Sequence, residues 1–541
     1  MILIGIHGAH NSGVSIYDIN ENKVIGNLEI ERVTRIKNDS RMDEEIIEKI
    51  LNKFQFSPED VSAIAYGYSC NPFVESSDSY DFQIRESSVK LFGRNIRSFS
   101  IPHHLSHAYS NAVATKATRI LIFTLDGWGD NMNTCLFFCD KRIGSEDSMF
   151  KVLFAGYTHR CPAHMWESIC TYNYELKPLQ GPGKIMALAA YGQKNSSIKE
   201  KILAYSSLPI LKIGDLEAID LGVNLSDTRS SVSQDFAFAL QEYTNDYVAG
   251  ITDFGMRLSS QQSLNYEEIG YAGGLALNII ATSKAIRAKR LNTVSIPPFP
   301  NDSGLAFGNC IAAACKYFGA SLEKLSEKFT PYLGPEYPEE EINALLEAHK
   351  EECIYIKLDP NAYVNSLVKD LVEMKICFRY YGKSESGPRA LGNRSILYNP
   401  SDIDGRAMLN RLKNREWYRP FAPIILDEYA AEVLEDPIQP SKYMTTSAKI
   451  KHNWRSRLSV ATHTDYSCRP QIIDNSNKLL YSVIKEFYLA TGIPAIINTS
   501  FNINGPIVES PHEAFDTFTH AISENKVLYI NNYRIKLKTR Q

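Results

Sequence analysis

Two groups of residues have the types and spacing to do chemistry, one early in the chain and one late. The early group is His103-His104-Leu105-Ser106-His107, in a stretch (98–114) that reads as a helix opened by Pro102. His103 and His107 are four apart, so they share a helix face and can grip one ion, while His104 points about 100° away. Neutral imidazoles are common ligands for zinc or iron and need a carboxylate or two to complete a site. Asp126, at the end of an apolar strand, and Asp302, in the loop 298–304 ahead of a helix, are the candidates. A helix carrying three surface or pocket histidines would show the same spacing. No His-Glu-x-x-His sequence is present, so a zinc protease is not supported.

The late group is basic. Ser384-Glu385-Ser386-Gly387-Pro388-Arg389-Ala390-Leu391-Gly392-Asn393-Arg394-Ser395 makes poor core and poor helix. Guanidinium forks bind phosphate bidentately, and glycine lets backbone amides approach it. Lys413, Arg415 and Arg419 follow, then Arg469 and the polar run Asn498-Thr499-Ser500-Phe501-Asn502. In a chain of net charge -4 this local density calls for an anionic ligand or for a network of Arg–carboxylate pairs. Two glycine turns add weaker signals. Gly181-Pro182-Gly183-Lys184 presents amides and an ammonium but lacks the Walker pattern, and Gly273-Gly274 precedes an apolar helical stretch. Taken singly, each is more often a plain turn.

The elements that must position these residues follow from the hydrophobic pattern. Residues 2–6, 14–17 and 23–30 read as strands joined by polar turns, and 42–54 as a helix. Residues 120–125 and 134–139 repeat the strand–turn–strand arrangement around Asp126-Gly127-Trp128-Gly129-Asp130. Two such hairpins suggest a duplicated nucleotide-binding fold. Helices are expected over 234–258, from 273 through 285, and over 308–318. A connection near 330–358 divides the chain into parts of 1–345 and 346–541. The second opens with a helix at 360–373 and a strand at 375–380, and closes on strands at 526–530 and 533–537.

Composition excludes other classes. With 541 residues, 44% hydrophobic and 22% charged, the chain is globular rather than disordered. A net charge of -4 disfavours a broad grip on nucleic acid. The ten cysteines form no Cys-x-x-Cys pair, so zinc ribbons and thioredoxin-like redox sites are not expected. No signal peptide and no run of 18 apolar residues is seen, so a soluble cytoplasmic protein with no membrane partner is expected.

Several ordered stretches resemble the NodU/CmcH family of O-carbamoyltransferases nearly end to end. The strongest is Gly387-Pro388-Arg389-Ala390-Leu391-Gly392-Asn393-Arg394-Ser395-Ile396-Leu397. It is joined by Arg415-Glu416, Arg419-Pro420-Phe421-Ala422-Pro423 and Asn498-Thr499-Ser500-Phe501-Asn502. Earlier in the chain come Glu31-Arg32-Val33-Thr34-Arg35, the histidine cluster through Ala108, Gly183-Lys184-Ile185-Met186 and Gly273-Gly274-Leu275-Ala276-Leu277-Asn278.

The resemblance implies an α/β protein with an N-terminal duplicated actin-like ATPase (ASKHA) domain and a C-terminal YrdC-like α/β domain. It implies that the YrdC-like part makes carbamoyl adenylate from carbamoyl phosphate and ATP, with magnesium accompanying ATP. The actin-like part then moves the carbamoyl group to a hydroxyl of a small natural-product acceptor. By the same resemblance, His103, His107, Asp126 and Asp302 hold iron or another divalent ion. Lys413 and Arg419 act in catalysis, and Arg389, Lys413, Arg419, Arg469, Asn498 and Ser500 bind carbamoyl phosphate and ATP. Lys184, Gly273, Gly274 and Asn278 line the nucleotide cleft. On its chemistry rather than on the resemblance, His10 is the candidate general base for the acceptor hydroxyl, since a turn histidine near neutral pKa suits the task, and a purely structural His10 is the alternative.

The chain departs from the family pattern in places. His10-Asn11-Ser12 stands where the family reads His-Asp-Ser, Lys37-Asn38-Asp39 stands for Lys-His-Asp, and Gly505 abuts Pro506 without an intervening Glu. Two other enzyme readings are weaker. A tRNA threonylcarbamoyl enzyme would need a basic surface, and the hydrogenase-maturation carbamoyltransferase carries Cys-x-x-Cys zinc modules. A non-catalytic nucleotide-binding scaffold would not need the retained Arg389, Arg419, His103, His107 and Asp126.

Overall fold

The computed structural model describes residues 1–68, 81–143, 149–158, 160–206, 223–291, 293–439 and 441–538. They form two compact units, one of Met1–Ile30 with Asn38–Thr330 and one of Glu31–Lys37 with Pro331–Gln541. The division falls at Thr330/Pro331 rather than at 345/346. The physical reason is the helix Glu339–Ala348, whose Ile342, Leu345 and Leu346 enter the second unit's core. Residues 31–37, expected in the N-terminal part, also belong to the second unit.

The first unit holds two sheets. One runs in the order Lys23–Glu29, Gly13–Asp18, Ile2–His7, Val61–Gly67, Arg94–Ile101, Arg85–Leu91. The other runs Phe150–Gly156, Met132–Asp140, Arg119–Gly129, Glu268–Ala272, Val294–Ser295. In both, three consecutive strands form an antiparallel meander. A fourth strand then pairs parallel with the first, and a fifth pairs parallel with the fourth. The duplication suggested by the hairpins is therefore a repeat of five strands.

Each repeat leads into a helix that lies on the other repeat's sheet. His103–Val113 follows Arg94–Ile101 but packs on the second sheet, and Leu305–Phe318 follows the second sheet but packs on the first. Pro102, whose fixed φ suits a helix entry, starts the first of these, so residues 98–101 end a strand instead of beginning the helix. All residues of His103–Val113 are buried. The two helices meet where a Cβ on Gly308 would lie 2.1 Å from the Ser106 carbonyl oxygen, so only glycine permits the crossing.

The second unit is built on an eight-stranded mixed sheet. Its order is Cys353–Lys357, Tyr533–Leu537, Lys526–Ile530, Ile376–Tyr380, Arg394–Tyr398, Ala495–Ser500, Ala422–Leu426, Gln471–Ile473. The helix Pro360–Val372, capped by Asp359, packs against the helix Lys478–Thr491. Its Asp370 is buried and accepts from Arg534 Nε and Nη2, both at 2.8 Å, from Lys375 Nζ at 2.9 Å and from the Tyr529 hydroxyl at 2.5 Å. Pairing of Ser395 with Ser500 and of Ala422 with Asn498 brings three of the sequence's basic and polar loops to one region of this sheet. Among the described residues no helix is long and apolar enough to cross a membrane. The nine described cysteines are buried.

Candidate functional site

In the first unit, the first turn of His103–Val113 meets the end of Arg119–Gly129 and the short 3-10 turn Asp302–Gly304. His103 Nε2 lies 2.9 Å from Asp126 Oδ2 and His107 Nε2 lies 3.2 Å from the same atom. Asp302 Oδ1 is 3.5 Å from His107 Nε2 and 3.8 Å from His103 Nε2. The four donor atoms lie within 4.8 Å of one another, and all four residues are buried. Two imidazoles and two carboxylates in this arrangement are a donor set for a divalent transition metal. His104 is not part of it. Its Nδ1 meets Thr124 Oγ1 at 2.8 Å, and burial pushes its pKa down to about 3, so it stays neutral.

The electrostatics of the cluster are those of carboxylates held ionised against burial. Burial opposes the charge on Asp126, but the bonds from His103 and His107 outweigh it and hold the carboxyl well below its usual range. His107 is buried too, yet the hydrogen bond to Asp126 and the nearby Asp302 carboxylate raise its pKa to about 9. Asp126 is oriented from behind, since its Oδ1 accepts from Gly127 N at 2.8 Å and Gly274 N at 3.0 Å. Orienting Asp126 is thus one task of the Gly273-Gly274 turn. Gly273 has φ +86°, and a Cβ there would sit 2.2 Å from the Leu125 carbonyl oxygen.

His10 stands at the edge of this cluster, its ring about half exposed, with Nε2 3.5 Å from Asp302 Oδ2. Burial is the largest single influence and lowers its pKa, but Asp302, the bond to Asn11, Asp126 and Glu167 together outweigh it, for a net rise. His7, the last residue of its strand, is buried with Nε2 3.6 Å from the same oxygen. Sequence reasoning missed His7, and its only signal was a histidine closing an otherwise apolar strand. Asn278 serves the structure. Its Oδ1 caps the helix Ile279–Ala288 at Ala281 N (3.1 Å), and its amide pairs reciprocally with Gln241. Lys184 lies in the first turn of the helix Pro182–Leu188, which packs on the helix Ser231–Gln261.

In the second unit, Arg389, Arg415, Arg419 and Arg469 gather. Burial and then Arg419 push Arg389 down to about 10. Burial, then Arg419, Glu416 and Arg389 act on Arg415, and burial with the other three arginines acts on Arg469, leaving both well below the guanidinium's usual value. Among the described residues the ion pair in this cluster is Arg419 with Glu416, at 3.2 Å. The Nε atoms of Arg415 and Arg469 are buried without a hydrogen-bond partner. Like charges at this density, with donors unspent, are costly to bury and would be relieved by an anion with several oxygens.

Lys413 donates to Ser500 O at 2.5 Å, Asn502 O at 2.7 Å and Asn502 Oδ1 at 2.9 Å, which ties it to the loop after the strand Ala495–Ser500, and burial with the nearby Arg415 and Arg419 lowers its pKa. Ser500 Oγ donates to Asn502 Oδ1 at 2.7 Å, and Asn498 Nδ2 bonds Ala390 O at 3.0 Å and Gln471 Oε1 at 2.9 Å. Both are thus loop clamps.

The loop carrying Arg389 has its own scaffold, which sequence reasoning did not identify. Glu385 Oε1 accepts from the amides of Leu391 (2.6 Å) and Asn393 (2.7 Å). Arg32 Nη2 donates to Glu385 O at 3.3 Å and Gly387 O at 3.2 Å. Arg35 donates to Ile507 O at 2.7 Å and Pro506 O at 2.8 Å, holding the segment that follows Asn502. Arg394 is structural: it is buried, stacked 3.5 Å from the Tyr380 ring centre and bonded to Gly382 O at 2.9 Å.

Comparison with known proteins agrees with this division. The family model described as carbamoyltransferase N-terminus matches residues 84–315, and that described as carbamoyltransferase C-terminus matches 368–537. An uncharacterized protein of Methanocaldococcus jannaschii is 27% identical over 99% of this chain and 99% of its own. Nodulation protein NolNO of Sinorhizobium fredii is 27% identical over 96% of this chain and 78% of its own. Among solved structures, full-length HypF in its phosphate- and nucleotide-bound form aligns with 58% of this chain and 55% of its own at 14% identity and a TM-score of 0.31. Nodulation protein U of Sinorhizobium fredii is 32% identical over 77% of this chain and 75% of its own. With that relative, and with a family match in each of its two units, the chain belongs to the carbamoyltransferase family of NodU and CmcH and is a carbamoyltransferase.

Proposed function

We propose that the chain is an ATP-dependent O-carbamoyltransferase that works in two half-reactions. The second unit, read as YrdC-like, forms carbamoyl adenylate, and the first, read as actin-like on its repeated five-strand pattern, transfers the carbamoyl group to a small hydroxyl-bearing acceptor. The observation that carries the reading is the cluster Arg389, Arg415, Arg419 and Arg469, whose unspent donors suit phosphate oxygens. Water releases carbamate and phosphate from carbamoyl phosphate. A carbamate oxygen attacks the α-phosphorus of ATP, and pyrophosphate leaves with the bonding pair. The acceptor oxygen, losing its proton, then attacks the carbamoyl carbon, and AMP leaves.

The arginines hold the phosphates and meet the charge that develops on their oxygens. Lys413, Asn498 and Ser500 keep the loops around them in register. In the first unit, His103, His107, Asp126 and Asp302 would hold a divalent metal, whose charge would stand against the adenylate phosphate when bound. Their donor types admit iron but do not single it out. The acceptor arrives from the His10 side, where the cluster is open. Of the loops expected to shape its pocket, 140–180 and 205–235, residues 144–148, 159 and 207–222 lie outside the described residues.

The test is incubation with ATP, carbamoyl phosphate and a divalent metal, following pyrophosphate. Pyrophosphate that appears only with carbamoyl phosphate is expected. Its absence would sink the adenylate reading. His107→Ala should abolish transfer to acceptor while leaving pyrophosphate formation in place, and Arg419→Ala should abolish pyrophosphate formation.

A further inference from the structure

We infer that the first unit holds a second divalent-metal site, formed by His7 Nε2, His10 Nε2 and Asp302 Oδ2, so that Asp302 bridges two ions. The inference builds on the reading of His103, His107, Asp126 and Asp302 as a metal site. The two oxygens of Asp302 face different pairs of histidines. Oδ1 faces His103 and His107 at 3.8 and 3.5 Å, and Oδ2 faces His7 and His10 at 3.6 and 3.5 Å.

These separations are too long for good hydrogen bonds. They suit two ligands of one ion, because atoms about 2.0–2.2 Å from a metal at tetrahedral to trigonal angles lie about 3.3–3.8 Å apart. His7 is the independent observation. It is 1% exposed and neither ring nitrogen has a hydrogen-bond partner, an arrangement that costs stability unless something occupies the space it faces.

His10 is prepared in the same sense. Its Nδ1 meets Asn11 Oδ1 at 3.1 Å, which fixes the proton there and leaves the Nε2 lone pair directed at Asp302. Asn11, with φ 61°, is itself held by Asn38 Oδ1 at 3.2 Å. Three protein ligands, one of them shared and one half exposed, leave coordination positions for oxygens of a substrate phosphate or hydroxyl. As a ligand, His10 would no longer serve as the proton acceptor, and the Asn11 that replaces the family's Asp becomes its support.

Protein stripped with a chelator and reloaded with Mn2+ decides the matter through metal content and electron paramagnetic resonance. Two Mn2+ per chain with an exchange-coupled signal are expected in the parent. His10→Ala, at a half-exposed position, and His7→Asn should each reduce the count to one and leave an uncoupled signal. One ion in the parent, or two in His7→Asn, would overturn the second site while leaving the first. No bound ion at all would overturn both, and neither result depends on whether carbamoyl adenylate is formed.

Discussion

At the scale of single residues, the anion site is marked by charge without a partner. Arg469 is surrounded by three other guanidiniums, so in the absence of ligand it works against the fold. Arg469→Met should therefore stabilise the unliganded protein by about 1 kcal/mol in thermal unfolding. It should also slow carbamoyl-phosphate-dependent pyrophosphate formation by about 100-fold, the usual loss for one transition-state donor. His107 gives a pH signature of the opposite kind. Its pKa in the metal-free fold is raised to about 9 by Asp126 and Asp302, so the protonated form stabilises that fold below about pH 6.5. Chelator-treated protein should lose melting temperature from pH 7 to 9, and His107→Gln should flatten that slope. The histidine pair was legible because the four-residue spacing is a property of any helix. The bonds of Lys413 were not legible, because a sequence reports a cation but not the three carbonyl-type oxygens that surround it.

At the scale of elements, the buried Asp370 ties one helix to the last two strands of the chain through Arg534, Tyr529 and Lys375. Burial works against its ionisation, but the bonds from Arg534, Tyr529 and Lys375 hold its pKa below the usual 3.8. A depressed carboxyl contributes stability above its unfolded pKa and loses it as pH falls through the folded value. Asp370→Asn should cost about 3–5 kcal/mol at pH 7, the toll of stranding a buried partner. In urea titrations that difference should shrink below about pH 4. The strand–turn–strand units were legible from alternation and turn residues. The exchange of closing helices between the repeats was not, since it depends on Gly308 lying against Ser106, some 200 residues away in sequence.

At the scale of the whole molecule, the second unit is discontinuous. Arg32 and Arg35, one helical turn apart, hold the backbone of the two loops that bear Arg389 and Asn502. Arg32→Ala should raise the KM for carbamoyl phosphate about 10-fold or more with a smaller change for ATP, and Arg32→Lys, which lacks the planar fork, should not restore it. Equal KM values in parent and Arg32→Ala would show that the loop holds its shape unaided. The Glu31–Arg35 stretch was recognisable in the sequence as shared with the family. What it does was hidden, because guanidinium bonds to carbonyls more than 350 positions away leave no local pattern.

The same discontinuity governs how the protein is made. Residues 31–37 leave the ribosome 294 residues before Pro331 follows Lys37 in the second unit. At about 5–20 residues per second, Arg32 waits about 18–70 seconds for the carbonyls of Glu385 and Gly387, and Arg35 about 24–94 seconds for those of Pro506 and Ile507. The first unit can complete its sheets during that interval, whereas the second cannot assemble its arginine cluster until Arg469 has been made. A gene split at residue 330 would deliver the two arginines on the wrong polypeptide.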